Sequence, residues 1–291
     1  MDIGRVGIWT FAFEMQSAAR AREAAAELEA LGYGAIWIPE AIGREALTNA
    51  GVLLAATRRI VIATGIANIW VRDATAMAAA QKTLAEAYDD RFLLGMGVSH
   101  APLVTMRGHD YAKPFTAMKN YLDAMDMAPF TATPPATPPK RVLAALAPKM
   151  LALAAERTWG AHPYFVPPEH SAYARERLGR GPLLAPEQAV VFETDPAKAR
   201  SVARTHMAMY LTLPNYVNNL KRLGFTDDDI ANGGSDRLVD AIVVWGTVAD
   251  VVKRVRAHHD AGADHVCIQV LDADPRVLPM RQWRELTVLF K

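Results

Sequence analysis

Short, nearly continuous apolar runs alternate along the chain with longer amphipathic stretches, and the alternation reads as repeated β/α units. The runs are Arg5–Thr10, Ala35–Pro39, Ile60–Ile66, Phe92–Val98, Arg141–Leu146, Gly160–Phe165, Ala189–Phe192 and His265–Leu271. Runs of this kind predict strands buried on both faces, as in a parallel sheet covered by helices. Between them, Ala18–Leu31, Leu47–Thr57, Thr75–Tyr88, Lys149–Arg157, Val248–Ala261 and Pro279–Phe290 predict helices. Ala18–Leu31 is rich in strong helix formers, and Gly32 and Gly262 stand where helices commonly stop. Asp195 followed by Pro196 has the form of an N-cap and a first-turn proline, which starts another helix.

Eight such strands close a cylinder, so the pattern predicts an α/β fold, a (β/α)8 TIM barrel. A doubly wound open sheet is the alternative. One barrel takes about 250 residues, so the 291 residues are expected to form a single domain, 1–291, with insertions at the C-terminal face of the barrel. Two segments break the rhythm. His100–Lys140 contains Ala128–Lys140 (APFTATPPATPPK), whose prolines exclude regular helix or central strand; it is expected to be an ordered loop over the barrel mouth. Leu213–Asp240 is a second insertion, helical at Tyr216–Leu223 and polar through Asp227–Asp236.

Composition narrows the function classes. Lys and Arg number 32 against 31 Asp and Glu, and this near-balance argues against nucleic acid or an anionic membrane as main partner. The single cysteine, Cys267, rules out an intrachain disulfide framework or a Cys-based zinc site. The N-terminus has no signal-peptide character, and no apolar stretch reaches the roughly 20 residues of a membrane span. A cytoplasmic protein acting on a small molecule, as a homodimer, is expected.

In a barrel the chemistry sits at the C-terminal strand ends, which selects the residues to weigh. Gly95-Met96-Gly97-Val98-Ser99-His100 begins like a dinucleotide loop but has His100 where the last glycine belongs, so the fingerprint fails. Its glycines fit equally a close approach by a ligand or a plain strand exit. Glu40 ends an apolar strand and points into the mouth, where it serves either proton transfer or an inter-strand ion pair. His100 titrates near neutrality or is a surface-loop histidine. His258, His259 and His265 have no metal-binding spacing and are expected on a solvated face. Asp227–Asp229 lacks the rest of a calcium loop and is expected to open a helix or form a solvated turn. No metal site is expected. Trp9, Phe11, Trp70, Tyr111, Phe115 and Tyr164 fall near the mouth and suit a hydrophobic ligand or ordinary loop packing.

Taken together, the segments resemble the luciferase-like oxidoreductases. The third strand, IVIATGIAN (60–68), is similar to that family's Leu-Gly-Thr-Gly-Val-x-Asn strand. RFLLGMGVSH (91–100) is similar to its Arg-Phe-x-Leu-Gly-x-Gly-x-Ser-His run, and LAALAPKMLALAA (143–155) to its Ala-Ala-x-Gly-Pro-Lys-Met-Leu segment. AGADH (261–265) matches the turn before its last strand. The resemblance covers nearly the whole chain in order, and Trp159–Arg175 with Tyr111–Asp123 look most like the actinobacterial branch that depends on coenzyme F420.

The resemblance implies an enzyme that transfers a hydride between the deazaflavin of F420 and a small organic substrate. It also implies a bulged third strand with a non-prolyl cis peptide, by motif position Gly65–Ile66. Gly65, Ile66 and Asn68 would back the ring; Gly97, Val98, Ser99, Ala145, Leu146 and Ala161 would line the ring and its side chain. The phosphate would meet Glu169, His170 and Ser171 at a helix N-terminus. Glu40, His100 and His162 are the expected proton-handling residues. Two departures from the family matter. Ala41 follows Glu40 where the sugar-phosphate dehydrogenases carry histidine, which disfavours that activity, and Leu146 replaces a glycine. The alternatives are an FMN-dependent monooxygenase and a non-catalytic cofactor-binding barrel.

Overall fold

The computed structural model describes residues 1–290, in which eleven strands pair in parallel throughout one sheet. They are β1 (Val6–Trp9), β2 (Ala35–Ile38), β3 (Val61–Thr64), β4 (Ala67–Asn68), β5 (Phe92–Gly97) and β6 (Arg141–Leu143). After these come β7 (Gly160–Ala161), β8 (Leu183–Leu184), β9 (Glu187–Val191), β10 (Val243–Trp245) and β11 (Val266–Val270). The ladder runs from β11 through β1, β2, β3, β5, β6 and β7 to β8. It closes through the segment Leu183–Val191. That segment bonds to β7 on one side, where the Ala185 N–H reaches Ala161 O at 2.9 Å. On the other side it bonds to β11, where Cys267 pairs with Glu187. β4 continues β3 past Gly65-Ile66 and pairs with β5.

All eight apolar runs carry strands, and the TIM-barrel expectation holds. Two details differ. β10 was not expected: it is three residues long, comes directly after the helix Asp236–Ile242, and stands beside β9 outside the ring. The strand expected over Gly160–Phe165 ends at Ala161, because Pro163 has no N–H to donate and Phe165 turns to φ +61°.

Alternate strand residues face opposite ways. Ile8, Ile36, Ile62 and Leu143 face outward and pack on the helices Ala18–Leu31, Ala46–Leu54, Ala74–Ala87, Pro114–Met127 and Pro148–Arg157. Trp9, Trp37, Ala63, Leu93, Val142 and Cys267 fill the barrel interior. The helix Ala18–Leu31 has the expected bounds: the Ser17 hydroxyl accepts from the Arg20 N–H, and Gly32 ends it at φ +97°.

The proline-rich segment lies at the other end from the one expected. The Thr137 hydroxyl donates to Asp90 at 2.6 Å, the Gln81 amide donates to Lys140 O at 3.0 Å, and the Lys140 ammonium stands 4.0 Å over the Trp159 ring. Asp90 and Trp159 precede their strands, so Ala128–Lys140 runs beneath the barrel. The helix Pro114–Met127 has already carried the chain back from the mouth, and residues 128–140 must feed the start of β6. Only the first part of His100–Lys140, with the helix Ala101–Met106, stands at the mouth.

The second insertion does cover the mouth. The helices Pro196–Tyr210, Pro214–Arg222 and Asp236–Ile242 share a cluster of Met207, Tyr210, Leu213, Tyr216, Leu220 and Leu238 that closes on Phe165 and Val191. Asp227–Asp229 opens a one-turn helix through a capping box with Thr226, as expected. Among the described residues no helix is long and apolar enough to cross a membrane.

Candidate active site

Glu40 lies just past β2 and its carboxylate is fully engaged. It forms a bidentate pair with the Arg72 guanidinium and accepts the backbone N–H of Ala46 at 3.1 Å and of Asn68 at 2.7 Å. Both side chains are largely buried, 3% exposed for Glu40 and 11% for Arg72. Arg72 also reaches Glu45. These contacts are those of a group that holds β4 in place, and no hydrogen bond joins Glu40 to His100 or His162.

The segment between β3 and β4 is shaped as the family resemblance implies: the Gly65–Ile66 peptide is cis. Trp9 Nε1–H donates to Gly65 O at 3.1 Å. The Ile66 side chain lies over Gly97, where a Cβ would come within 2.6 Å of Ile66 Cγ1 and Cδ1. Glycine at 97 is therefore what lets Ile66 lie flat at the mouth. Buried Asn68 accepts the Trp70 N–H at 3.0 Å, and the Trp70 indole donates to Val98 O at 3.0 Å. Ser99 turns at φ +57° and its carbonyl accepts from the Tyr111 hydroxyl at 3.2 Å. This redirects the chain so that His100 caps the helix Ala101–Met106 and faces the Tyr216 ring at 5.4 Å. His100 Nδ1 is buried without a partner. Burial lowers the His100 pKa, with Asn215 opposing the fall.

On the far side, Ala145 is buried and Leu146 half-buried, past the end of β6. Leu146 O accepts from His170 Nε2–H at 3.1 Å, so the His170 side chain braces the strand exit from beneath. His170's own N–H bonds to Pro167 O at 3.0 Å. Ser171 is buried, its hydroxyl 2.8 Å from His258 Nδ1, whose Nε2 meets Gln188 Oε1 at 2.9 Å. Of the three residues expected at a phosphate, Glu169 presents its backbone N–H in the first turn of the helix Pro168–Leu178, whereas the buried Ser171 stands where an α-helix makes its first intrahelical bond. The exposed Arg222 supplies positive charge beside His170.

His162, expected as a proton partner, lies in the barrel interior beneath the mouth. It stacks on Trp37 at 4.3 Å and donates Nδ1–H to Ala185 O at 2.7 Å. That bond leaves Nε2 as the lone-pair nitrogen, beside Gly65 and without a partner. Desolvation lowers its pKa to about 4. Two histidines expected on a solvated face are instead fully buried. His258 continues the buried stripe Val251–Val255–His258 of the helix Val248–Asp260, a helical spacing visible in the sequence. His265 donates to Gly4 O at 2.8 Å and accepts from Trp37 Nε1 at 3.1 Å.

One buried group carries no motif in the sequence. Glu187, in β9, faces the barrel interior at 1% exposure, accepts the Phe165 N–H at 3.1 Å, and leaves its other oxygen without a partner. Above it Trp9, Phe11, Tyr164, Tyr210 and Tyr216 form a continuous aromatic lining with centroid spacings of 4.8–5.4 Å. Trp9, Phe11 and Tyr164 are thus brought together as the hydrophobic-ligand reading expected, whereas Phe115 packs on the outer core.

Comparison with known proteins agrees with this geometry. The model of the luciferase-like monooxygenase family matches residues 5–265. A Mycobacterium tuberculosis protein named as a coenzyme F420-dependent oxidoreductase is 25% identical, over 87% of this chain and 91% of its own. Among solved structures, the F420-dependent tetrahydromethanopterin reductase of Methanopyrus kandleri superposes with a TM-score of 0.76 at 15% identity, covering 98% of this chain and 97% of its own. An F420-dependent secondary alcohol dehydrogenase gives 0.74 at 16% identity, covering 96% and 99%. The FMN-bound oxygenating component of a Pseudomonas putida diketocamphane monooxygenase gives 0.72 at 15% identity, covering 100% and 97%. With the family model spanning nearly the whole barrel, the chain belongs to the luciferase-like monooxygenase family and is an oxidoreductase of that family.

Proposed function

We propose that this enzyme binds coenzyme F420 in the barrel mouth and exchanges a hydride between it and a small organic substrate. The observation that carries the reading is the pairing of two features across the mouth. One is the flat apolar wall that Ile66 makes against Gly97. The other is the N-terminus of the helix Pro168–Leu178, with Arg222 beside its His170. A wall of that kind suits a planar ring, and a helix N-terminus with a nearby cation suits a phosphate. The bound deazaflavin would supply the hydride chemistry, and the protein orientation and a dry site.

Gly65, Ile66 and Asn68 would back the ring. Val98, Ser99, Ala145, Leu146 and Ala161 would line it and its side chain, and Glu169 would give its N–H group to the phosphate. His100, whose Nδ1 has no protein partner, is the mouth's proton-handling side chain. Glu40 acts through Arg72 and Asn68 as a positioning residue.

The F420-dependent relative and the two F420-dependent neighbours favour F420 over FMN. The FMN-bound neighbour supports the second reading, a flavin monooxygenase fed reduced FMN. Titration of the purified protein with F420 and FMN side by side separates them. F420 is expected to bind more tightly, with no oxygen uptake on reduced FMN. Micromolar FMN binding without detectable F420 binding would refute the proposal.

A further inference from the structure

A buried hydroxyl on β3 is bonded twice to the same residue of β5. Thr64 Oγ1 donates to Gly95 O at 2.7 Å and accepts the Gly95 N–H at 2.9 Å. One side chain thus holds both polar backbone groups of a strand residue, where a sheet ordinarily pairs backbone with backbone.

The strand register gives the reason. β3 pairs with β5 through Ala63 and Leu93, and β4 pairs with it through Ala67 and Met96. Four steps along the third strand answer three along β5, so one residue is surplus, as in a β-bulge. The Ile62 N–H bonds to Arg91 O at 3.0 Å. Carried forward two residues at a time along both strands, that pattern would bring the Ile66 N–H to Gly95 O. The surplus residue takes Ile66 out of the ladder, and the Thr64 hydroxyl replaces it at Gly95 O.

The strands also approach closely here. A Cβ at Gly95 would lie 2.0 Å from Thr64 O, so only glycine permits the approach. Two residues further along β5, Gly97 leaves the room in which the Ile66 side chain lies. Between these contacts the Gly65 N–H bonds to Ile38 O at 2.7 Å, and Gly65 O accepts from Trp9. The backbone that leads into Ile66 is therefore tied to β1 and β2 through Gly65 and to β5 through the Thr64 hydroxyl.

We propose that Thr64 is a positioning residue: its hydroxyl spans the surplus residue of the third strand and sets how Ile66 lies over Gly97, and with it the wall for the cofactor ring. The step from Ile66 to the ring rests on the F420 reading, whereas the step from Thr64 to Ile66 is a property of the chain itself. Thr64 is fully buried, so it acts through the backbone and not by contact with a ligand. Thr64→Val keeps the branched shape but sets a methyl group against a carbonyl oxygen 2.7 Å away. Non-bonded carbon needs about 3.5 Å, so Gly95 and the third strand must part there. Thr64→Ser keeps the hydroxyl.

Methyl NMR of the cofactor-free protein, labelled at the isoleucine δ1 positions, reads the place of Ile66. The wild type is expected to show an NOE between the Ile66 δ1 methyl and the Gly97 α protons. Thr64→Val should lose it while the NOEs of Ile8 and Ile36, on the outer face of the barrel, stay as they are. Thr64→Ser should retain it. In titrations the F420 Kd should rise at least about tenfold in Thr64→Val and stay near the wild-type value in Thr64→Ser. Should Thr64→Val fail to fold, Thr64→Ala removes the hydroxyl without the clash and is read in the same way. A retained Ile66–Gly97 NOE in a folded variant without the hydroxyl would overturn the proposal, as would a lost NOE with unchanged Kd, or losses in Thr64→Ser as large as in Thr64→Val. Failure of the wild type to bind F420 would instead remove the cofactor reading, and the NOE would then decide the role of Thr64.

Discussion

The indole Nε1–H of Trp9 donates to the carbonyl oxygen of Gly65 at 3.1 Å, tying the end of the first barrel strand to the backbone on which the apolar wall of the mouth is built. Trp9 is 2% exposed, so water cannot readily replace the bond. The two residues lie 56 positions apart, and one hydrogen bond couples the aromatic lining on one side of the mouth to Ile66 on the other.

Trp9→Phe keeps an aromatic ring and removes the donor. A buried carbonyl without its partner costs about 1–3 kcal/mol. The variant is expected to lose stability in that range in denaturant melts and to bind cofactor more weakly. Unchanged stability and affinity would mean that the Gly65 carbonyl does not depend on Trp9.

Glu40→Gln leaves the Arg72 charge buried with Glu45 as its remaining acid. Breaking a buried pair by removing one partner costs about 3–5 kcal/mol, so a fall in unfolding free energy of that order is expected. The double variant Glu40→Gln, Arg72→Met should recover part of it. A folded, stable Glu40→Gln with a large loss of turnover alone would return Glu40 to the role of proton carrier.

Gly97→Ala places a methyl group where Ile66 Cγ1 and Cδ1 now lie, 2.6 Å away. Ile66 must swing outward, and overpacking of this kind costs about 1–3 kcal/mol. Because Ile66 would move toward the ring, cofactor affinity is expected to fall at least about tenfold, more than the stability loss accounts for. Calorimetric titration beside a thermal melt checks this; an unchanged Kd would show that the ring does not rest on Ile66.

Four buried histidines and the half-buried His206 make the fold acid-sensitive. Desolvation lowers the pKa of His162, His170, His206 and His265 to about 4 and that of His258 to about 3, from an ordinary 6.5. For a base whose folded pKa is depressed, the stabilisation is present above the unfolded pKa and is lost as pH falls through the folded one. Stability should therefore drop steeply between about pH 6.5 and pH 4, and equilibrium denaturation across that range measures it. Glu187 acts in the opposite sense. With its folded pKa raised to about 8, its contribution is full at low pH and is lost as pH rises through that value. Glu187→Gln should gain stability relative to wild type on the alkaline side, and a constant difference at every pH would contradict the shift.

The barrel was legible in the amino-acid order alone. Eight doubly apolar runs separated by helices have few other ways to bury both faces, and local signals such as Gly32, Gly262 and Asp195-Pro196 set helix ends through contacts within a few residues. Motif order also carried the position of the Gly65–Ile66 bond and the segments that meet at the mouth. The end of the barrel at which a loop lies depends on the direction of the helix before it, so the prolines of Ala128–Lys140 revealed an irregular segment and not its place. The roles of polar side chains emerged only from long-range contacts. Glu40 is engaged because Arg72, 32 residues on, folds back to it, and His258 and His265 became core residues because Ser171, Gln188, Trp37 and Gly4 supply partners. Glu187 reads as an ordinary polar residue at the edge of an apolar run. What distinguishes it, a buried carboxyl facing three tyrosines without a cation, exists only once β9, β11 and the helical cap enclose it, because desolvation is a property of the surroundings and not of the chain around the residue.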